Sequence, residues 1–287
     1  MAYASAFRPG LFAERTVIVT GGGSGIGRAT AHELASLGAT VALVGRDPDK
    51  LARVAAEILE DGGAAFAQTC DIRDEERVTS TVAQVLERTG RIDGLVNNAG
   101  GQFPMPLAAM SLKGWEAVLR ANLTGGFLFS REVFGQWMAE AGGAIVNIVA
   151  DMWGSMPMMG HSGAARAGMV SFTETAAVEW APAGVRVNAV APGFIASSGL
   201  DRYGPEVADH IRSVHRGVPL YRLGTESEVS AAICFLLSDA AAFMTGTTLR
   251  VDGGRPNARM DWPPIEPERG ARFEGFHRAR RPTVLGG

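Results

Sequence analysis

The sequence predicts an α/β domain: a single doubly wound parallel sheet of about seven strands with helices on both faces. Three observations predict it. Short β-branched runs alternate with longer stretches whose apolar residues recur at helical spacing, the pattern of strand–helix–strand units. A glycine-rich turn, TGGGSGIG (20–27), joins the first such run to the first helical stretch. The chain's 287 residues, 46% hydrophobic and 20% charged, suffice for one large globular core.

The first run, TVIVT (16–20), is apolar or β-branched throughout, as a strand covered on both faces must be. A helix over 26–37 follows the glycines, and Gly38 stops it where a C-cap glycine belongs. TVALVG (40–45) then leads to a helix at 47–60, and AAFAQTC (64–70) to one at 74–89. GLVNN (94–98) precedes the longest helical pattern, 112–140. AIVNIV (144–149) is followed by 162–181, VRVNAV (185–190) by 226–238, and TTLRV (247–251) closes the sheet. No repeat or composition shift interrupts residues 1–255, read as one domain. The chain then changes character. From Arg255 onward it carries five prolines and seven arginines with little periodicity. Residues 256–287 therefore read as a Pro/Arg-rich arm: extended over the domain, packed on a neighbour, or disordered.

Bulk properties exclude several functions. A net charge of −3 argues against nucleic acid or a membrane surface as partner. No uninterrupted apolar run approaches eighteen residues, and the opening MAYASAFRPGLFAER is too polar for a signal peptide. Cys70 and Cys234 lie far apart in apolar segments, so neither a disulfide nor a metal site is expected, and the expected compartment is the cytoplasm.

The glycine-rich turn carries the first chemistry. Glycines let the backbone turn sharply and approach a pyrophosphate, and the helix behind them presents N–H groups and a positive dipole end. Strand before, helix after and position in the first βαβ unit make this a Rossmann-like dinucleotide site.

The spacing TGxxxGIG resembles that of the short-chain dehydrogenase/reductase family, and further matches follow in order over about residues 12–255. The resemblance assigns cofactor contacts to Gly21, Ser24, Gly25, Ile26 and Gly27. It makes Asp71, followed by Ile72, the adenine-contacting position, and Asn98, Ala99 and Gly100 of NNAG the segment beside the ribose. Asn122 falls at the family's helix-kinking catalytic Asn, and Pro192, Gly193 and Ile195 match the stretch holding the nicotinamide carboxamide. TGTTLRVDGG (245–254) resembles the closing strand.

Cofactor choice turns on the end of the second strand. An acidic residue there would bind the ribose hydroxyls of NAD and repel a 2′-phosphate, whereas this chain has Gly45 and then Arg46. An arginine fork pairs with a phosphate, so NADP is the expected cofactor.

At 161–168 the chain reads HSGAARAG, where the family has a Tyr and, four residues later, a Lys. Spacing of four puts both side chains on one helix face. Here Ser162 takes the Tyr position and Arg166 the Lys position; no Tyr or Lys occurs between 114 and 202. Arginine does not carry protons near neutral pH but can hold ribose hydroxyls and stabilise an oxyanion. A serine hydroxyl polarises a carbonyl yet is a poor acid. That pair suits reduction of a C=C bond conjugated to a thioester, where hydride goes to Cβ and the carbonyl oxygen becomes an enolate. GGQF (100–103), KGWEAVLRANLTG (113–125) and HSGAARAG resemble the peroxisomal-type trans-2-enoyl-CoA reductases of the family, with 2,4-dienoyl-CoA reductases as relatives. The resemblance implies an acyl-CoA type substrate, fatty acid metabolism, NADPH and a homotetramer. Some such enzymes carry a Tyr one turn after the Arg, where this chain has Val170. The proton donor is therefore open between Tyr203, Asp151, His161 and a water. Met152, Trp153, Met156, Met158 and Met159 form a soft apolar stretch suited to an acyl chain, a core patch or a subunit contact. Two other functions remain: a ketone/alcohol oxidoreductase with a rebuilt proton relay, and a dinucleotide-binding protein with little turnover.

Overall fold

Seven strands, all parallel, form one sheet in the computed structural model, which describes residues 2–259 and 261–286. Met260 and Gly287, which fall in the expected arm, lie outside the described residues. The strands are β1 (Thr16–Thr20), β2 (Thr40–Gly45), β3 (Ala64–Thr69), β4 (Gly94–Asn97), β5 (Gly143–Ile148), β6 (Val185–Pro192) and β7 (Thr248–Val251). Their spatial order is β3-β2-β1-β4-β5-β6-β7. The chain reverses its winding between β1 and β4, which pair with Val19 opposite Val96, and this leaves a crevice at their carboxyl ends.

Alternate side chains of β1 feed opposite faces, as the two-residue strand period requires. Val17 and Val19 join a cluster with Leu34, Leu51 and Ile233, whereas Ile18 joins one with Val82, Phe129 and Ala176. The first face is covered by α1 (Gly25–Ser36), α2 (Pro48–Glu60) and a late helix given below. The second face is covered by α3 (Glu75–Thr89) and by α4 (Leu112–Leu119), α5 (Gly125–Val133), α6 (Ala139–Ala141) and α7 (Gly160–Glu179). After β6 come α8 (Ala208–Ser213) and α9 (Glu226–Leu237), the latter packed on α1. Side-chain oxygens of Asp47, Asp74 and Thr225 accept N–H groups at the starts of α2, α3 and α9, satisfying donors the helices cannot.

The structure differs from the expected elements at several places that matter for the site. The helix expected over 112–140 is α4, α5 and α6, joined by π-helical turns at Arg120–Thr124 and Phe134–Met138. A π turn widens the ladder and re-aims side chains, and the first contains Asn122. His161, expected to precede its helix, lies in the first turn of α7. β5 stops at Ile148 rather than 149, so Asp151 stands in the following loop, its N–H bonded to Pro192 O at 3.0 Å. β6 runs to Pro192 because Ala191 and Pro192 still pair with Arg250 and Val251.

Of the three fates open to the arm, part of it packs on its own domain. Phe276 is buried, its ring stacked on Tyr3 at 5.7 Å, and Arg278 forms a two-point ion pair with Asp61 beside α2. Thr225 Oγ1 donates to Phe273 O at 2.7 Å, tying the arm to the start of α9.

Candidate active site

The turn after β1 is built around absent side chains. Gly21 and Gly25 have φ of +67° and +57°, which L residues with a Cβ rarely adopt. A Cβ on Gly27 would run into Gly21 O and the Asn98 side chain. Thr20 locks this turn to the end of β4: its Oγ1 donates to Val96 O at 3.1 Å and accepts the N–H groups of Asn98 and Ala99, each at 3.0 Å. Asn98 Nδ2 returns a bond to Thr20 O at 2.9 Å. Ser24, at the N-cap of α1, makes no side-chain capping bond, so the first amides of α1, at Gly25, Ile26 and Gly27, lack a cap from it. That arrangement suits an anion. Above Gly25 the nearest side-chain atoms are Glu226 Oε1 and Ser197 Oγ. Burial pushes the Glu226 carboxyl up to about 7, against the pull of Arg28.

At the end of β2, Arg46 is exposed and forms no ion pair among the described residues. Asp71 is engaged by its neighbour: Arg73 Nε and Nη2 donate to its two oxygens at 2.9 and 2.6 Å. These bonds pull its carboxyl down to about 2, with a further contribution from the Arg46 charge. Ile72 packs on Gly125, where a Cβ would lie 2.6 Å from it.

The reacting side of the crevice is formed by the segment after β4, the π turn and α7. Asn122 is buried; its Oδ1 accepts Gly101 N–H at 2.8 Å while its Nδ2 has no partner. Gly100 is pressed between Asn122 and Arg166, whose Oδ1 and Nη2 would lie 2.6 and 2.8 Å from an added Cβ. Arg166 donates through Nη1 to Ile148 O at 2.6 Å, and its Nε is buried without a partner. Burial lowers it to about 10, so it stays charged at neutral pH. The same cavity is lined by Thr20, Ala99, Asn122, Ile148, Arg166 and Met169.

Ser162 is fully buried, and its hydroxyl donates to Gln102 Oε1 at 2.6 Å. Gln102 Nε2 donates in turn to Tyr203 Oη at 2.9 Å. The structure thus brings Asn122, Ser162, Arg166 and Tyr203 to one crevice. Asp151 is set apart in an ion pair with Arg255 at 3.2 Å; burial raises its carboxyl, opposed by that arginine. His161 is wholly buried: its Nδ1 accepts Ser162 N–H at 2.8 Å, and Phe103 meets its ring edge-on at 4.7 Å. Pro192 ends β6; a Cβ on Gly193 would come within 2.7 Å of Asp252, and Ile195 is pinned beside Gly224. Phe103, Leu107, Trp153 and Met158 are exposed apolar side chains of the two segments around His161 and Ser162. Sequence reading missed Thr20, Gln102, Ser197 and Glu226. Gln102 lies within the quoted GGQF, so its place beside NNAG was the available signal.

Fold and crevice together define a dinucleotide-binding oxidoreductase architecture. The chain belongs to the short-chain dehydrogenase/reductase family: a family model described as enoyl-(acyl carrier protein) reductase matches residues 21–255. Among curated relatives, the peroxisomal 2,4-dienoyl-CoA reductase [(3E)-enoyl-CoA-producing] of Danio rerio is 34% identical over 255 residues, 88% of this chain and 85% of that protein. The 3-oxoacyl-[acyl-carrier-protein] reductase of Synechocystis sp. is 40% identical over 244 residues, 84% of this chain and 96% of that one. A solved structure named citronellol catabolism dehydrogenase, from Pseudomonas aeruginosa PAO1, is 60% identical and superposes with a TM-score of 0.81 over 88% of this chain and 100% of its own. No helix among the described residues is long and apolar enough to cross a membrane.

The residues present fit a nicotinamide dinucleotide. The α1 amides uncapped by Ser24, the glycines a Cβ would obstruct, and the unpartnered Asn122 Nδ2 and Arg166 Nε all offer donors or space to one crevice.

Proposed function

We propose that this chain is an NADPH-dependent oxidoreductase that reduces the C=C bond of an enoyl-CoA type thioester by hydride transfer. The observation that carries this reading is α7, where Ser162 and Arg166 stand one turn apart beside Gln102, Gly100 and Asn122. The bound nicotinamide supplies the hydride. Arg166 supplies a fixed charge close to Asn122, and Ser162 and Gln102 supply neutral polar groups at the place where an enolate oxygen develops. None of these three is an acid suited to protonating an alkoxide, whereas an enolate needs only to be held while Cα is protonated. The segment GGQF and the apolar side chains of Phe103, Leu107 and Met158 support an acyl chain as the occupant of the outer crevice.

In this reading Gly21, Ser24, Gly25, Ile26 and Gly27 take the diphosphate. Asp71, Ile72, Asn98, Ala99 and Gly100 border the adenosine half, and Arg166, Pro192, Gly193 and Ile195 the nicotinamide half. Arg46, exposed and unpaired beside Gly45, supports NADP over NAD because it offers a fork to a 2′-phosphate. The reading also takes the protein as a cytoplasmic homotetramer in fatty acid metabolism, with no nucleic-acid or membrane partner. Residues 1–255 form its catalytic domain and 256–287 an arm near a subunit boundary. Exposed Phe127 on α5 and Val178 on α7 support an apolar subunit contact there.

A second reading, oxidation of an alcohol or reduction of a ketone, is favoured by the 60% identical protein named for citronellol catabolism and by the phenol of Tyr203 in the crevice. Steady-state NADPH oxidation with crotonyl-CoA and with simple ketones separates the two. The enoyl reading expects the larger kcat/KM for crotonyl-CoA; a larger value for the ketones contradicts it.

A further inference from the structure

One side chain joins the hydroxyls of Ser162 and Tyr203. Ser162 Oγ donates to Gln102 Oε1 at 2.6 Å, and Gln102 Nε2 donates to Tyr203 Oη at 2.9 Å. An amide accepts at one end and donates at the other, so an amide held at both ends gives the chain of bonds a direction. The buried end gives a proton into the bond; the Tyr203 end receives one. The phenol's own hydrogen is left to donate elsewhere. Gln102 is also held on both sides along the backbone, by the bond from Gly101 N–H to Asn122 and by the packing of Phe103 on His161. Its position is therefore set by the same residues that build the crevice.

The other candidate donors are ion-paired or shut away from the crevice mouth. Asp151 is paired with Arg255, and the ring of His161 is wholly buried, its Nδ1 accepting a backbone N–H and its Nε2 without a partner. Tyr203 is partly exposed at the outer end of the chain of bonds.

We propose that Gln102 is the positioning residue that makes Tyr203 the proton donor of this site. The inference rests on the reductase reading above, with a reduced nicotinamide dinucleotide as the reductant. Hydride delivered to Cβ of an enoyl thioester leaves an enolate, whose electron pair must take one proton at Cα. The Tyr203 O–H bond breaks, the Cα–H bond forms, and the Gln102 N–H holds the phenolate until water reprotonates it. The thioester leaves saturated, and the dinucleotide leaves oxidised.

The test compares the wild type with Tyr203→Phe, Gln102→Glu, Gln102→Asn and the double variant Tyr203→Phe/Gln102→Glu. Gln102→Glu keeps an acceptor for Ser162 but replaces the N–H by an oxygen that captures the phenol's proton. Gln102→Asn keeps the amide but is too short to span both hydroxyls. Each is assayed with crotonyl-CoA and NADPH, and the butyryl-CoA made in D2O is read by NMR for the face of Cα that carries deuterium. The proposal expects kcat to fall about a hundredfold or more in each single variant, with NADPH affinity unchanged. It expects the double variant to be no worse than either single one, and the single-faced deuterium of the wild type to spread over both faces. Wild-type turnover with single-faced deuterium in Tyr203→Phe overturns Tyr203 as donor. The same result in Gln102→Glu and Gln102→Asn overturns Gln102 as its positioner. A wild type that leaves NADPH unoxidised in the presence of crotonyl-CoA overturns the reductase reading itself, and this inference with it.

Discussion

Arg166 donates to the carbonyl oxygen of Ile148 at 2.6 Å, burial lowers its guanidinium, and it forms no ion pair among the described residues. A buried cation without a counter-ion is costly, so its retention beside Asn122 points to a negative partner that arrives with ligand. Arg166→Ala removes that charge and is expected to depress crotonyl-CoA turnover by two or more orders of magnitude, about 2.7 kcal/mol. Ser162→Ala removes one neutral donor, and the expected loss is smaller, about tenfold to a hundredfold. Steady-state kinetics on both variants check the order; equal losses, or wild-type turnover in Arg166→Ala, contradict it.

Arg46 is expected to make NADPH bind at least tenfold more tightly than NADH, within the about 1.5–3 kcal/mol of a charge-assisted hydrogen bond. Arg46→Asp should reverse or abolish that preference. Fluorescence titration of both cofactors measures it, and equal dissociation constants in the unaltered protein contradict it.

Phe127 and Val178 are expected to be covered by a neighbouring subunit in a homotetramer. Val178→Glu should shift the molecular mass by light scattering toward smaller species. A monomeric wild type at micromolar concentration contradicts the assembly.

Acid sensitivity should begin above the carboxylate range because of His32. Burial, together with the neighbouring Arg28 charge, lowers its imidazole from 6.5 to about 4 against the pull of Glu57 and Asp61. Between those values the unfolded chain binds a proton that the folded chain refuses at His32, so the stability this group contributes is full above about pH 6.5 and is lost as pH drops toward 4. Glu57 and Asp61 are held below their ordinary values by partners, so their own losses come lower still. Glu226, raised to about 7 by burial, gains stability over the same range, so the His32 contribution is read by difference: from pH 7.5 to 5 the Tm of His32→Gln should rise relative to that of the wild type. An identical slope in the two proteins contradicts this.

Much of the fold was legible because most strands are short β-branched runs and the stretches between them keep helical apolar spacing. The candidate site was legible where the residues are local in sequence: the glycine turn, Asn122, and Ser162 four residues before Arg166. What escaped depends on contacts between distant residues. Gln102 meets Ser162 across 60 positions and Tyr203 across 101, and nothing in an amide's own neighbourhood announces that. Thr20 reads as the last residue of a strand, yet its hydroxyl binds the start of the next crevice wall. The π turn around Asn122 was hidden because its residues keep helical apolar spacing; only the ladder changes. Packing of the arm on its own domain was among the expected fates, but its contacts were not legible, since Phe276 and Arg278 find Tyr3 and Asp61 only in three dimensions.

The account's central claim is that Ser162 and Arg166 belong to enoyl reduction rather than to a damaged ketone reductase. Its most direct test is crotonyl-CoA-dependent NADPH oxidation by the double variant Ser162→Tyr/Arg166→Lys, set against the natural sequence. A phenol aimed at the carbonyl oxygen does nothing for protonation at Cα, so the account predicts a rate no higher than the natural one, with any gain confined to ketones. A double variant that outperforms the natural protein on crotonyl-CoA contradicts it.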